Sequence, residues 1–497
     1  MRTHPVVLAG AGPGHPGLAT LRTVQALAEA DYVLYDRLVN PALLRHAPPS
    51  ARLVCVDELP GEHPQRWPHI HAALIAEARQ GRRVVRLKGG DPLVFGRGAE
   101  EAQALREAGL EYEIVPGVTA GLGASAFAGI PVTHRDHASA IAFVTGHEWP
   151  GKPGSRLDWP ALARFPGTLV FYMGVARLRS LVETLLSHGK DASTPAAVVQ
   201  QGTTARQRTV TAILSALPEA AKGIVPPALV IVGDVVSVRD PWAERLPLFG
   251  QRVLLTRPAH QAGEMADRIA AMGGEAVLQP LVDIAPLEDW SAVDQAISKL
   301  PRTRWVVFTS ANGARAFLGR LRETGRDARA LGGCLLAAIG PATAEALAAH
   351  HLLADLVPAA YNSETLAAEL KERVRGQRVL LARADRGLEL LKEVLGEVAE
   401  VEQVAVYRQL DRDPAPHPLV EAGEIDLVAL TSSRIAEGFA RSLGAAGRAH
   451  ILSGRTRLVA ISPRTAEAAG LPIAATAERY TVPGVLEAMA RLVSGCP

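Results

Sequence analysis

Three glycine-rich segments in the first half of the chain have the composition of loops that hold a ligand against the backbone. They are GAGPGHPGLATL at 10–21, RLKGGDPLVFGRG at 86–98 and VPGVTAG at 115–121. Each lies at the end of a short aliphatic run, which predicts a loop at the carboxyl end of a strand. Glycine allows a ligand to approach the backbone closely, and open α/β sheets bind ligands at the carboxyl ends of their strands. The three segments therefore predict a shared ligand cleft.

The first of these loops departs from the common nucleotide-binding motifs. A Walker A loop is excluded because no Gly-Lys-Ser/Thr follows the glycines. A dinucleotide fingerprint is matched by Gly10, Gly12 and the later acidic Asp36. However, His15 occupies its third small position and Pro13 lacks a backbone donor. A tight turn without a ligand also stays open at this point.

The elements that must position these loops follow from the hydrophobic pattern. Short β-branched runs alternate with Ala-, Leu- and Glu-rich segments, which favours parallel α/β layers. In the first half the predicted strands are 6–10, 32–35, 52–56, 83–87, 112–115, 140–145, 168–172, 196–200 and 228–232. A helix is predicted over 18–29. On this helix Leu18, Leu21, Gln25 and Ala28 are expected near one face.

Composition narrows the class of protein. The chain has 497 residues and a formal net charge of +2. This length predicts about three domains, and the charge disfavours a nucleic-acid partner. Cys55, Cys334 and Cys496 fit no metal-site or disulfide spacing, which indicates a reducing, cytoplasmic setting. No signal peptide and no membrane span are expected, because the N-terminus lacks a basic region before an apolar run and no stretch of about 18 apolar residues occurs.

A break in the pattern divides the chain into two halves. The segment RDPWAERLPLFGQ at 239–251 contains two prolines and a glycine and has no periodicity. It predicts a linker, which we place at 241–250. A new strand is expected to start at Arg252.

The second half contains an internal repeat. Thr309 and Thr431 lie in similar segments 122 residues apart, and Pro341 and Pro463 have the same spacing. A third pair of segments, QRVLLTRP and QRVLLARA, is offset by 126 residues. Near-constant offsets favour two similar α/β lobes, although convergent strand–turn–helix chemistry remains an alternative.

The first half resembles a known family. Its motifs, in order, are GAGPGHPGLATL, YDRLV, VVRLKGGDPLVFGRG, VPGVTAG, AGIPVTHRD, VTGH and PALVIVGDVV. Over about residues 1–240 they resemble the tetrapyrrole methylase family, and within it the uroporphyrinogen-III C-methyltransferases. The resemblance implies a two-lobed α/β fold distinct from the Rossmann methyltransferases. It also implies S-adenosyl-L-methionine in the cleft between the lobes, a homodimer formed through this half, and no metal.

Carried over by position, the resemblance also implies site residues. The cofactor-binding set is Pro13, Gly89, Gly90, Asp91, Val94, Thr119, Ala120, Met173 and Thr204. The substrate-binding set, whose basic side chains suit the carboxylates of a tetrapyrrole, is His15, Arg22, Arg37, Arg97, His134 and Arg135. Asp36 is the implied catalytic base for a pyrrole N–H. The alternative for Asp36 is a capping carboxylate at a strand end.

The chain departs from the family pattern at three positions. His15 stands where an aspartate is usual, Glu58 lies where a lysine is expected, and His71 stands where an asparagine is common. These changes leave the cofactor loops intact and alter the substrate rim. They therefore bear on the efficiency or substrate of methylation more than on cofactor binding.

The second half resembles the uroporphyrinogen-III synthases over about 251–497, through VVFTSANGA, AIGPATAEAL, VAVYRQL and LTSSRIAEGF. The resemblance implies two similar parallel α/β lobes, one at 251–285 and 412–497 and the other at 286–411. It also implies cofactor-free cyclisation of hydroxymethylbilane with inversion of ring D. The implied substrate-binding residues are Thr309, Ser310, Asn312, Thr431, Ser432 and Ser433. Tyr407 is the implied catalytic residue that assists hydroxide departure, and a packed tyrosine is the alternative.

The two resemblances together imply a bifunctional enzyme of tetrapyrrole biosynthesis. Uroporphyrinogen III, the synthase product, is the substrate whose double methylation gives precorrin-2, on the way to sirohaem or cobalamin. In an alternative, the bilobal part senses a ligand, and the first half methylates another substrate or has lost turnover. Methylation of ribosomal RNA is disfavoured, because the chain has neither a basic stripe nor stacking aromatics.

Overall fold

The computed structural model describes residues 4–62, 66–146, 156–387 and 389–495. These residues form four five-stranded sheets, each the centre of one α/β lobe. Lobes 1 and 2 make up the N-terminal half, and lobes 3 and 4 make up the C-terminal half. Among the described residues, no helix is both long enough and apolar enough to span a membrane.

Lobe 1 has the sheet order β3-β2-β4-β1-β5, with every pair parallel. Its elements are β1 Val6–Gly10, α1 Leu21–Ala28, β2 Tyr32–Tyr35, β3 Arg52–Cys55, α2 Trp67–Arg79, β4 Val84–Lys88, α3 Gly98–Glu107, β5 Tyr112–Val115 and α4 Ala120–Phe127. The five predicted strands are confirmed. Helix α1 begins later than the predicted residue 18, because Thr20 caps it. Its buried residues are Thr23, Ala26 and Leu27, whereas Leu21 is 82% exposed.

Lobe 2 has the order β6-β7-β10-β8-β9. Its elements are β6 Ile141–Thr145, α5 Trp159–Ala163, β7 Thr168–Tyr172, α6 Leu178–Ser187, β8 Pro195–Gln200, β9 Arg208–Ile213, α7 Leu217–Ala220 and β10 Ala228–Val232. The expected all-parallel arrangement is wrong here. Only β6 and β7 pair in parallel in the described sheet, and the other three pairs are antiparallel. Two of these pairs are made by β10, with β7 and with β8. The third involves β9, which the sequence analysis missed. It follows β8 after a short loop and pairs back as a hairpin.

The predicted linker at 241–250 is an ordered bridge that packs on both halves. Trp242 donates its indole N–H to the Ala126 carbonyl at 2.8 Å and meets Phe127 edge-on. At the other end, Leu248 is fully buried in the core of lobe 3, and its N–H donates to the Met272 carbonyl. The bridge therefore fixes how the halves meet instead of merely connecting them.

The C-terminal half contains ten strands and eleven helices in its described residues. In chain order they are β11 Arg252–Leu255, α8 Ala259–Ala271, β12 Glu275–Leu278, β13 Val282–Ala285, α9 Ser291–Ser298, β14 Trp305–Phe308, α10 Ala311–Glu323, β15 Leu335–Ala338, α11 Pro341–Ala348, α12 Ser363–Lys371, β16 Arg378–Ala384, α13 Leu390–Gly396, β17 Glu400–Asp411, α14 Pro418–Glu421, β18 Leu427–Leu430, α15 Ser433–Arg441, α16 Ala445–Leu452, β19 Arg457–Ala460, α17 Pro463–Ala469, β20 Ile473–Thr476 and α18 Val482–Ser494.

The chain enters lobe 3, passes through lobe 4 and returns to lobe 3. Lobe 3 has the all-parallel order β12-β11-β18-β19-β20, and lobe 4 has the order β13-β17-β16-β14-β15. The boundary predicted at 285 lies slightly too late. Strand β13 pairs antiparallel with β17, with Val282 opposite Asp411, and so belongs to lobe 4. The expectation of two parallel lobes therefore holds except for this one edge strand.

The internal repeat seen in the sequence has a structural counterpart in each lobe. Ser310 caps α10 and Ser432 caps α15 through the same N-cap hydrogen bond. Pro341 and Pro463 are the first residues of α11 and α17. The repeated positions are helix starts after parallel strands, so the two lobes present equivalent strand ends.

Candidate active sites

The three glycine loops of the N-terminal half meet backbone to backbone. The N–H of Gly12 donates to the Gly90 carbonyl at 3.2 Å, and the N–H of Gly90 donates to the Gly12 carbonyl at 2.8 Å. A Cβ on Gly117 would lie 2.2 Å from the Gly90 oxygen, and one on Gly10 would lie 2.6 Å from the Gly117 Cα. Gly10 and Gly117 are thus required for contact between loops. Gly90 differs, because its added Cβ would meet no atom closer than 3.8 Å.

Asp91 ties the second loop to the third. Its Oδ1 accepts the N–H of Leu93 at 2.8 Å, and its Oδ2 accepts the N–H of Gly117 at 3.0 Å. Each carboxylate oxygen retains a second lone pair for another donor. Asp91 therefore shapes the cradle and still has acceptor capacity for a ligand.

Tyr172, which the sequence analysis missed, links lobe 1 to lobe 2. Its hydroxyl lies 2.7 Å from the Thr119 Oγ1 and accepts the N–H of Gly121 at 2.6 Å. Burial raises the pKa of Tyr172. The neighbouring Met173 has a positive φ of 57° and is 50% exposed. Because Tyr172 pins the start of α4 to the end of β7, it fixes Met173 at the opening between the lobes.

Exposed apolar side chains surround the glycine loops. Leu38 lies 3.5 Å from where a Cβ on Gly89 would be, and the Phe95 ring lies 4.8 Å from the Tyr172 ring. Both Leu38 and Phe95 are exposed, as is Leu93. Val94 and Ala120 pack against the core of lobe 2. An apolar recess with backbone polar groups at its base suits a small amphipathic ligand.

Asp36 is held by a fully buried cation at the end of β2. The Arg86 guanidinium donates to the Asp36 Oδ1 and, at 3.1 Å, to the Glu101 Oε1. It also donates to the carbonyl of Leu34. Burial alone lowers the pKa of Arg86, but the two carboxylates raise it overall. The Asp36 Oδ2 also accepts the N–H of Gly89, just after β4, at 3.4 Å. The carboxylate is thus a positioned hydrogen-bonding group, and the alternative of a capping carboxylate at a strand end stays open.

Behind Arg86 the charges are closed off from solvent. The Lys88 Nζ donates to the Glu101 Oε1 at 2.7 Å, and the other Glu101 oxygen has no hydrogen-bond partner among the described residues. Burial lowers the pKa of Lys88. Burial also lowers the pKa of His71, and the negative charge of Glu101 partly offsets this by raising it. His71 therefore lies by this charge cluster, behind the rim.

The C-terminal half presents two equivalent strand ends. Ser310 accepts the N–H of Gly313 at 3.0 Å, and Ser432 accepts the N–H of Ile435 at 3.3 Å. The Ser310 Oγ also lies 3.1 Å from the Tyr407 hydroxyl, which is buried. Thr309 and Thr431 precede the capping serines and are partly buried. The predicted residues therefore sit at matching sites in lobes 3 and 4.

Polar contacts join lobes 3 and 4 across their cleft. The Gln261 Nε2 donates to the Asn312 Oδ1 at 2.9 Å, and the Arg464 guanidinium lies 3.6 Å from Glu364. Ser433 is partly buried, and its Oγ donates to the Arg464 carbonyl at 3.5 Å. The two strand ends therefore face a cleft that side chains bridge. The described residues contain no cluster of His, Cys, Asp and Glu placed to hold a metal ion.

Comparisons with known proteins agree with this division. The family model of tetrapyrrole (corrin/porphyrin) methylases matches residues 5–218, and that of uroporphyrinogen-III synthase HemD matches 263–487. "Porphyrin biosynthesis protein HemD" of Ruminiclostridium josui is 33% identical over 449 residues, covering 88% of each chain. The chain belongs to this methylase–synthase family. Its N-terminal half is a tetrapyrrole methylase, and its C-terminal half belongs to the uroporphyrinogen-III synthases.

Two further matches include the methylase half, and the first of them is long enough to extend into the synthase half. "Uroporphyrinogen-III C-methyltransferase" of Bacillus subtilis (strain 168) is 40% identical over 348 residues, which cover 69% of this chain and 71% of that protein. The solved structure of the uroporphyrin-III C-methyl transferase of Thermus thermophilus, complexed with S-adenyl homocysteine, is 43% identical. It covers 47% of this chain and 100% of that one, with a TM-score of 0.42.

His15 faces the synthase half, which corrects its expected place beside the substrate. Its Nδ1 accepts the N–H of Gly17 at 3.0 Å, so Nε2 carries the proton and points to the Ala270 carbonyl at 3.3 Å. The His15 N–H donates to the Thr203 Oγ1, and the ring packs 5.3 Å from Phe127. The unusual histidine of the first loop is thus an interdomain contact at the carboxyl end of α8.

Two ion pairs strengthen this junction between the halves. Arg45 of the methylase half lies 2.5 Å from Asp267 on α8. Arg206 lies 3.1 Å from Asp426 and donates to the Glu424 carbonyl at 2.6 Å. The Thr204 hydroxyl donates to the Gln201 carbonyl in the same loop that carries Arg206. The synthase half therefore packs against the loop that holds a predicted cofactor residue.

We expect His15→Asp to loosen the junction between the halves. The substitution removes the donor to the Ala270 carbonyl and places a negative charge at the carboxyl end of a helix, which is unfavourable. If the free energy that holds the halves together falls by about 1 kcal/mol, proteolytic cleavage of the bridge at 241–250 should be about fivefold faster under native conditions. His4→Asp, at an exposed position, is the control. Equal cleavage rates in the two variants would remove His15 from the junction.

The remaining predicted rim residues divide into engaged and available side chains. Arg22 is bound by both oxygens of Glu113 at 2.7 and 2.5 Å. Its role as a substrate cation stays a prediction, and binding of substrate there would compete with this ion pair. Arg97 lies 4.0 Å above the Trp67 ring and donates to Glu100 at 3.0 Å. Of these two cations, only Arg22 forms a bidentate pair with a carboxylate.

Three other predicted rim residues stay exposed or partly exposed. Arg37 is 3.8 Å from Asp57, with most of its side chain in solvent. Arg135 is exposed, and His134 accepts the N–H of Asp136 through its Nδ1 at 3.1 Å. Arg37 and Arg135 remain candidates for carboxylate binding. The substituted Glu58 accepts the Cys55 N–H at 2.8 Å, so it caps a local turn.

Proposed function

We propose that the protein is a bifunctional enzyme of tetrapyrrole biosynthesis. Its synthase half cyclises hydroxymethylbilane to uroporphyrinogen III with inversion of ring D. Its methylase half then methylates uroporphyrinogen III twice with S-adenosyl-L-methionine to give precorrin-2. The observation that carries the proposal is that one chain contains two separate clefts lined by polar groups. One is the glycine-loop cradle, and the other is the cleft between the equivalent strand ends of lobes 3 and 4.

The cradle fits S-adenosyl-L-methionine. Gly90 leaves open space where a side chain would intrude, Asp91 has acceptor capacity, and Met173 lies exposed at the opening. The residues that would hold the cofactor are Pro13, Gly89, Gly90, Asp91, Val94, Thr119, Ala120, Met173 and Thr204. When bound, the cofactor supplies an electrophilic methyl group on a sulfonium. The apolar rim of Leu38, Leu93 and Phe95 excludes water from that group.

Asp36 has the chemistry to act on the substrate in methylation. A pyrrole carbon that takes up a methyl group leaves positive charge on its ring nitrogen. The carboxylate of Asp36, oriented by Arg86, can accept the pyrrole N–H and stabilise that charge. The buried Arg86 fixes one carboxylate oxygen and leaves the side chain partly exposed toward the cleft.

In the synthase half, the proposed site consists of groups that bind substrate carboxylates and of one proton donor, the Tyr407 hydroxyl. The first N–H groups of α10 and α15 and the hydroxyls of Thr309 and Thr431 can hold substrate carboxylates at the strand ends. Tyr407 can donate its hydroxyl proton to the departing hydroxide of hydroxymethylbilane. No cofactor is needed, because the pyrrole nitrogen of the substrate drives loss of the hydroxide.

We expect Tyr407→Phe to lower the cyclisation rate by about 100-fold, the lower range for loss of a proton donor. Only a hydroxyl is removed, and Ser310 keeps its bond to the Gly313 N–H. The uninverted isomer formed by spontaneous closure should rise in proportion. Ser310→Ala, which leaves the Tyr407 hydroxyl in place, should lose far less. A wild-type rate in Tyr407→Phe would make this residue a packing residue.

We also propose that the protein forms a homodimer through its methylase half. We place it in the cytoplasm. The experiment that tests the whole proposal mixes the protein with hydroxymethylbilane, with and without S-adenosyl-L-methionine. Absorbance and mass should show uroporphyrinogen III without the cofactor and a product two methyl groups heavier with it. Ligand sensing by the bilobal half is the second candidate, because side chains already bridge its cleft. It predicts binding of hydroxymethylbilane without enzyme-dependent formation of the inverted isomer.

A further inference from the structure

Arg257 is a charged residue of the synthase half that the site described above does not use. It follows β11, whose register pairs Leu255 with Ala429. Thr256 confirms this register, since its hydroxyl donates to the Ala429 carbonyl at 2.8 Å. Arg257 is therefore beside Thr431, at the strand ends that face the cleft between lobes 3 and 4.

The guanidinium of Arg257 is half-buried and lacks a neutralising carboxylate. No Asp or Glu oxygen in the described part of the synthase half lies within 4.0 Å of it. Burial lowers the pKa of Arg257, and Glu264, which opposes this shift, is itself paired with Arg268. Other arginines of the synthase half differ from it, because Arg412 and Arg434 each pair with an aspartate at 2.5 Å.

A polar chain connects Arg257 to the opposite lobe. Its Nη2 lies 3.4 Å from the Gln261 Oε1, and the Gln261 Nε2 donates to Asn312 of lobe 4 at 2.9 Å. Arg257 is thus placed where the two lobes meet. A partly desolvated cation without a counter-charge is unfavourable, so this arrangement is built for an anion that arrives between the lobes.

We propose that Arg257 binds a carboxylate of the linear tetrapyrrole and fixes one of its rings at the lobe junction before ring closure. This inference rests on the proposed cyclisation activity. Arginine suits the role because its planar guanidinium can hold both oxygens of a carboxylate. The Gln261–Asn312 contact then orders the guanidinium only when the lobes are together.

The test is steady-state cyclisation of hydroxymethylbilane by Arg257→Met in the full chain. Loss of a charge-assisted contact predicts a KM raised about 10- to 100-fold, with a larger share of the uninverted isomer. Arg257→Lys keeps the charge and should recover part of the loss. Raising the ionic strength toward 1 M should shrink the KM ratio between Arg257→Met and wild type, because salt screens the missing interaction. Arg329→Met removes an exposed arginine paired with Asp327 and is the control.

The outcomes separate this inference from the function on which it rests. A wild-type protein that forms no inverted isomer would overturn the proposed cyclisation itself. If the wild type is active, an unchanged KM in Arg257→Met overturns the role of Arg257 alone. A raised KM with a salt-independent ratio and no recovery in Arg257→Lys would assign the loss to packing and overturn it too. The unfolding temperature of each variant is measured as well, to check that a raised KM does not come from unfolding of the lobes.

Discussion

Replacing Gly90 with arginine should abolish binding of S-adenosyl-L-methionine and leave cyclisation of hydroxymethylbilane unchanged. A side chain at this position meets no atom closer than 3.8 Å, so it extends into the space of the cradle. The result expected from isothermal calorimetry is an affinity lowered at least about 100-fold, because an occupied cradle cannot accept the ligand. Methylation should fall with it.

The control for Gly90→Arg must account for backbone strain. Gly90 has a φ of +67°, where a residue with a side chain is strained by about 1–3 kcal/mol. Gly109→Arg places the same residue at a φ of +73° with no atom within 4 Å of the added Cβ. Gly109→Arg should therefore share the strain and keep cofactor affinity. Wild-type affinity in Gly90→Arg would place the cofactor elsewhere.

Local pattern was enough to predict most strands of the methylase half and the internal repeat of the synthase half. Residues such as Ser310 and Ser432 have the same task in both lobes, namely capping a helix after a strand. That task leaves a signature over a few residues, which a single sequence displays. The glycine loops were predictable for the same reason, since each follows a strand with a recognisable aliphatic pattern.

Features that depend on distant partners were not predictable. His15 contacts Ala270, which lies 255 residues later, so no local pattern indicates its role. The hairpin of β8 and β9 was missed because β9 is amphipathic and mostly exposed. The charge cluster did leave a signal: Arg86 and Lys88 alternate within an aliphatic strand, so both lie on one face. A pair of buried cations on one face requires an anion, and Glu101 provides it.

The same charge cluster orients Asp36, and substitution of Asp36 should have a large effect on methylation. We expect Asp36→Asn to lower the rate of methylation by at least about 100-fold, which is the usual contribution of a positioned acid–base group. The amide keeps the size of the side chain but loses the negative charge that stabilises the pyrrole nitrogen. The fold should survive, because the amide oxygen can still accept a hydrogen bond from Arg86, and Glu101 remains as the buried carboxylate that Arg86 and Lys88 share.

Three measurements on Asp36→Asn distinguish chemistry from structure. Affinity for S-adenosyl-L-methionine should change little, because the hydrogen bond from the Gly89 N–H to the Asp36 Oδ2, at 3.4 Å, can still be accepted by an amide oxygen. Cyclisation by the synthase half should also be unchanged and serves as an internal check on the protein preparation. Asp191→Asn, at a surface carboxylate that bonds Ser193, is the matched control. A methylation rate within about threefold of wild type would show that Asp36 only anchors Arg86, because a positioned acid–base group contributes far more than that.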